Sequence, residues 1–154
     1  MVEAGKPAPE ISLPDQNGKI VKLSKLKGSP VVLYFYPKDD TSGCTKEACA
    51  FRDAISDYEK LGAKIVGVSP DGAESHAKFV KKHGLPFTLL ADSDKTACEA
   101  YGVWTEKSMY GKKYMGVERT TFVIDAKGII RQIFPKVKVE GHSSDVLEAI
   151  KAMK

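Results

Sequence analysis

The 154-residue chain carries a net charge of +4, with 42% apolar and 29% charged residues, the balance of an ordinary globular fold rather than of a disordered or fibrous one. Its lysines are interleaved with acids, and Lys78, Lys81 and Lys82 read as one solvated helix face, which argues against a nucleic-acid partner. The longest apolar run is too short for a membrane span, residues 1–6 lead into no apolar signal segment, and three cysteines, an odd number, exclude a purely structural disulfide framework; the expectation is a cytoplasmic protein without membrane contact.

In chain order, Pro7–Leu13 reads as an extended entry and Asp15-Gln16-Asn17-Gly18 as a tight turn. A short strand at residues 20–23 and a helical turn at residues 24–28 follow. Residues 31–36 are apolar on both faces, which predicts a central strand covered on both sides. Cys44, Ala48, Phe51, Ile55 and Tyr58 recur at helical spacing, predicting one helix over about residues 44–61, stopped at Gly62. Lys64–Ser69 is the next strand, Ala73–His83 a helix ending at Gly84, and Phe87–Leu90 a short strand. A helix is expected over Asp94–Tyr101, capped by Ser93 or Asp94, then a polar loop from about Thr105 to Glu118. Thr121–Asp125 and Ile129–Phe134 pair across Ala126-Lys127-Gly128, and Ser143–Met153 is an amphipathic helix.

A βαβ half followed by a ββα half around one mixed sheet is the layout of an α/β, thioredoxin-like fold, here with an N-terminal β-hairpin extension. No repeat or linker divides the chain, so one domain over residues 1–154 is expected.

The chemistry concentrates between strand and helix, in Pro37-Lys38-Asp39-Asp40-Thr41-Ser42-Gly43-Cys44. A cysteine at a helix N-terminus meets free N–H groups and a partial positive charge, and both favour the thiolate. Ionisation alone falls far short of catalysis: lowering a thiol pKa from about 8.5 to about 6 raises the thiolate fraction at neutral pH only about thirtyfold, or about 2 kcal/mol. Aimed donors are therefore needed. Thr41 is a candidate to turn its hydroxyl toward the sulfur, together with the N–H groups of Gly43 and Cys44, with Pro37 as a cover against water.

Cys49 lies five residues on. On an intact helix that offset separates the Cα atoms by roughly 8.5 Å, beyond the ~7 Å reach of a disulfide. Any reaction between Cys44 and Cys49 requires the first helical turns to unwind. The spacing is not the C-x₂-C of a disulfide reductase. It also makes no zinc site, because His76, His83 and His142 show no matching ligand spacing and read as surface or helix-cap residues without a role.

Pro37-x₃-Thr41-x₂-Cys44 resembles the active-site signature of the peroxiredoxins. The longer string from Tyr34 to Asp53, with Cys44-Thr45-x-Glu47-Ala48-Cys49, and Glu118-Arg119-Thr120-Thr121-Phe122-Val123-Ile124-Asp125 resemble the bacterioferritin-comigratory-protein, or Q-type, subfamily. The resemblance runs from about Pro7 to the C-terminal helix. It implies a thiol-dependent peroxidase in which Cys44 is the peroxidatic nucleophile, Thr41 holds the peroxide and accepts a hydrogen bond, and Pro37 shields the site. Arg119 would be the cation beside the thiolate, and Cys49 the resolving thiol. It further implies a hydroperoxide substrate, a thioredoxin-type dithiol reductant, a monomer, and no metal, haem or flavin. Cys98 reads as a half-buried bystander. A one-cysteine peroxidase with external thiol resolution, a thiol–disulfide oxidoreductase and a non-enzymatic binding module remain as alternatives.

Overall fold

Residues Val31–Phe35 form strand β3, and all five are buried. The computed structural model describes residues 2–153, with β3 at the centre of a five-stranded sheet in the order β5-β4-β3-β8-β9. Strands β4 (Lys64–Ser69) and β5 (Thr88–Ala91) continue in parallel on one side. On the other side β8 (Thr120–Ile124) and β9 (Ile130–Phe134) run antiparallel. Side chains alternate across the pleat, so β3 supplies two cores. Val32 and Tyr34 face α1 (Ser42–Asp53), α2 (Ile55–Lys60), α3 (Ala73–His83) and α5 (His142–Ala152). Val31, Leu33 and Phe35 face Ile11, α4 (Thr96–Ala100) and Val117. The N-terminal hairpin is present as β1 (Ser12–Pro14) and β2 (Ile20–Lys22), followed by a 3-10 turn at Leu23–Leu26.

Four expectations are corrected. The helix over residues 44–61 starts earlier, at Ser42, and divides at Ala54 into α1 and α2. No Gly or Pro marks the break. Tyr58 on α2 is buried in the core, where its hydroxyl donates to the Ser143 carbonyl at 2.6 Å. The polar loop at residues 105–118 is mostly a hairpin of β6 (Trp104–Met109) and β7 (Lys112–Val117). Its turn, Tyr110-Gly111, has positive φ at both residues, the conformation of a tight I′-type turn that tyrosine does not advertise. The N-cap residue of α4 is Lys95 rather than Ser93 or Asp94, and the first-turn N–H groups of Ala97 and Cys98 are taken instead by the Asp92 carboxylate at 3.1 and 2.8 Å. Finally, His76 and His142 are buried rather than superficial, each bonded to a neighbour across the fold.

Gly67 on β4 sits directly between Tyr34 and Leu89 in the sheet register. A methyl group there would lie 2.7 Å from Leu89 Cδ2 and 2.8 Å from Tyr34 Cζ. Tyr34 cannot retreat, because Phe51 packs on it with ring centroids 5.0 Å apart. Gly67→Ala is therefore expected to destabilise the fold by about 1–3 kcal/mol through overpacking, read as a lower urea midpoint.

Burial lowers the His142 pKa from 6.5 to about 4, with Asp145 opposing and Arg119 assisting. The folded chain keeps this ring neutral while the unfolded chain protonates it. The associated stability is complete above pH about 6.5 and is lost progressively as pH falls toward about 4. Urea titrations across that range should show this acid limb, and His142→Gln should flatten it.

Candidate active site

The chain leaves β3 through Tyr36, whose N–H still joins the sheet at Val68 O, and then through Pro37, which has no N–H to extend the ladder. Residues Pro37–Thr41 form the loop, and Thr41 is the extended N-cap residue of α1. The Thr41 side chain does not cap the helix and does not turn its proton to the sulfur: Oγ1 donates to the Lys38 carbonyl at 2.9 Å. That leaves the oxygen lone pairs as acceptors. Asp40 is held in a left-handed conformation, φ 59. Its carboxylate takes Lys82 Nζ at 2.8 Å and lies 3.1 Å from His83 Nε2. These partners, Lys82 first, hold the Asp40 carboxyl below its ordinary range.

Cys44 is the third residue of α1 and only 1% exposed. Its own N–H and those of Ser42 and Gly43 belong to the first turn, which has no intrahelical acceptors to offer them. Arg119, on the short link between β7 and β8, points a guanidinium at the sulfur, with Nη2 3.2 Å from Sγ. The same guanidinium donates from Nη1 to Glu47 Oε1 at 2.6 Å. Gly43 leaves the room for this approach, since a Cβ there would stand 3.2 Å from Nη2.

Glu47 is one helical turn beyond Cys44 and as deeply buried, with its second oxygen lacking a partner among the described residues. Burial raises its pKa to about 7 even though Arg119 pulls the other way. For Arg119, burial works against the charge, but Glu47 and then Cys44 outweigh it and the net shift is upward. A second cation, Lys107 on β6, is depressed by burial and then by Arg119, while the Cys44 charge favours it.

Of the residues singled out in the sequence, the fold thus brings Cys44 and Arg119 into contact and sets Thr41 and Pro37 on the loop entering α1. Pro37 is half-buried. Cys49 is also half-buried, on the same intact helix, and all three cysteines are free thiols. Cys98 is fully buried, and burial, then its bond to Asp92, pushes its thiol far up from its ordinary range, leaving it inert. Glu47 escaped the sequence reading, though it had a legible signal: a carboxylate three residues after Cys44 and so on the same apolar face.

A buried sulfur at a helix N-terminus, met by a guanidinium that a carboxylate holds in place, is equipped to form a thiolate and to stabilise charge moving off it. The AhpC/TSA family profile matches residues 4–133. Peroxiredoxin Bcp of Bacillus subtilis is 49% identical over 99% of this chain and 97% of its own length. A bacterioferritin comigratory protein from Xanthomonas campestris, studied for alkyl peroxide reduction, is 41% identical with a TM-score of 0.92, covering 98% of this chain and 99% of that one. PrxQ from Xylella fastidiosa, as a cysteine-to-serine variant, is 35% identical with a TM-score of 0.94 over 99% of this chain and 98% of its own. The chain belongs to the AhpC/TSA family and, within it, to the Bcp or Q-type peroxiredoxins, thiol-dependent peroxidases of thioredoxin-like fold.

Proposed function

We propose that Cys44 is the peroxidatic nucleophile, on the observation that its sulfur, at the start of α1, accepts a bond from Arg119 at 3.2 Å. The Cys44 thiolate attacks the terminal oxygen of ROOH. The S–O bond forms as the O–O bond breaks, giving Cys44 sulfenic acid and RO⁻, which takes a proton to leave as water or alcohol. Thr41, its own proton committed to Lys38 O, accepts the bond from the peroxide hydroxyl. Arg119 and the first-turn N–H groups stabilise the charge passing along S–O–O, and Pro37 shields the site. The substrates are hydrogen peroxide and organic hydroperoxides, a range favoured by the alkyl peroxide chemistry of the Xanthomonas relative.

Cys49 is the resolving thiol: it attacks the sulfenic sulfur, forms the Cys44–Cys49 disulfide and releases water. This requires α1 to open, and its first turn is built to open readily. It has no side-chain cap and no acidic residue to favour the N-terminal dipole, together forgoing on the order of 1–2 kcal/mol. Further along, α1 is held by Arg52, whose Nη1 donates to the His83 carbonyl at 2.7 Å. A thioredoxin-type dithiol protein then reduces the disulfide by exchange. The chain works as a cytoplasmic monomer with one domain over residues 1–154.

Peptide-mapped mass spectrometry after one equivalent of hydrogen peroxide tests the cycle. A bridge between the Cys44 and Cys49 peptides is expected; sulfenic or sulfinic Cys44 beside a free Cys49 would replace it with a one-cysteine scheme. Cys44→Ser should abolish peroxide consumption. Cys49→Ser should keep the first turnover and lose thioredoxin-coupled cycling. Glu47→Ala strips Arg119 of its acceptor and should slow Cys44 oxidation roughly ten- to a hundredfold, the loss of one charge-assisted bond of about 1.5–3 kcal/mol. Glu47→Gln keeps an acceptor for Nη1 and should stay closer to the unsubstituted rate in the same assay.

A further inference from the structure

A buried network that the proposed chemistry does not use lies two residues before Thr41. Asp39 is 7% exposed and His76 is fully buried. The Asp39 carboxylate accepts the Tyr36 hydroxyl at 2.6 Å on Oδ1, and on Oδ2 it meets the Ser75 hydroxyl at 2.8 Å and His76 Nδ1 at 2.7 Å. The other imidazole nitrogen of His76 lies 2.9 Å from the Leu90 carbonyl. Since the Tyr36 proton is spent on Asp39, His76 is held at both ring nitrogens, Nδ1 against the Asp39 carboxyl and Nε2 against the Leu90 carbonyl, with one proton shared across the Asp39–His76 contact. The Asp39 backbone N–H completes the network by donating to Asp71 Oδ2 at 2.7 Å, an atom that also accepts the Ser69 hydroxyl at 2.7 Å.

These bonds tie one loop residue to the end of β3, to α3, to β5 and to the segment after β4. A buried polar pair is weak support for stability, because well-packed apolar residues would serve as well or better. What it supplies is direction: each bond tolerates only a few tenths of an ångström. Downstream of the fixed residue lie Thr41 and the first-turn N–H groups beside Cys44.

We propose that Asp39 and His76 are positioning residues for the attack on peroxide, a buried clasp that holds the Pro37–Thr41 loop in register with the Cys44 sulfur. The inference rests on the reading of Cys44 as nucleophile and Thr41 as acceptor. The clasp lies wholly outside α1, so the helix can open at Ser42 while the loop stays in place. It acts on sulfenate formation and leaves the resolving step alone.

Two kinetic phases separate these roles. Sulfenate formation is second order in peroxide and is read by competition against a haem peroxidase. Disulfide formation is first order and is read by timed acid quench and mass spectrometry. Asp39→Asn and His76→Gln should each slow the first phase about tenfold and leave the second within twofold. The double variant should be no slower than the worse single, because both residues serve one contact. Ser75→Ala removes one donor from Asp39 at a half-buried position and should slow the first phase two- to threefold with the thermal midpoint nearly unchanged.

Folded variants that oxidise Cys44 at the unsubstituted rate, or losses that multiply in the double variant, would overturn the clasp. Should the Asp39 and His76 variants not fold, Ser75→Ala decides: a slowed first phase supports the clasp, and an unchanged one overturns it. Unsubstituted protein that leaves peroxide intact would overturn the Cys44 reading and the clasp with it; active unsubstituted protein with unaffected variants overturns the clasp alone.

Discussion

The bond from Arg119 to the Cys44 sulfur joins residues 75 apart in sequence, and the sheet makes it possible. Strand β3 pairs antiparallel with β8, placing Phe35 opposite Thr120. Arg119 therefore emerges at the same end of the sheet as the β3–α1 loop. A one-residue slip of this register would turn every β8 side chain to the other face. The two cores that bury alternate residues of β3 and β8 thus hold the cation on the thiol. Fold stability and thiolate chemistry meet in one strand pair.

The contact has a cost, and the structure shows where it falls. Arg119 must be half-desolvated to reach a sulfur that is nearly sealed from solvent, and its guanidinium needs an anchor. Glu47 provides it from the next turn of the same helix. Burial leaves that carboxyl with a pKa of about 7 and one oxygen without a partner among the described residues. A buried, under-satisfied carboxylate is not a device for stability. Its effect is to aim a cation at one atom, and the same logic extends to the Asp39–His76 pair behind the loop. Polar groups in this core trade stability for direction.

The first turn of α1 shows the opposite economy. It carries the Cys44 sulfur, yet its natural cap, Thr41, gives its hydroxyl proton to Lys38 O instead of serving the helix. A well-capped first turn would resist the opening that a Cys44–Cys49 bridge demands. A loop fixed by Asp39 before the turn and an Arg52 anchor after it leave that first turn as the weak point of the helix.

The order of strands and helices, the two-sided burial of β3, and the strand-loop-cysteine sequence were all legible in one dimension, because each follows from local periodicity or from what a helix N-terminus does to a thiol. The Pro37–Cys44 and Glu118–Asp125 motifs also marked the family. Other features needed the fold. The division at Ala54 has no breaker residue, and the β6–β7 hairpin turns on a tyrosine, so neither left a local signal. His76 and His142, polar enough to suggest the surface, are buried because Asp39 with Leu90 and Thr121 respectively satisfy them from distant parts of the chain. The sequence by itself determined the family, and it singled out a cysteine at a helix start with the residue types that could assist it. Only the tertiary structure decided that Glu47 aims Arg119 and that His76 reaches Asp39, since partners for buried charges are chosen by packing across the sheet and not by spacing along the chain.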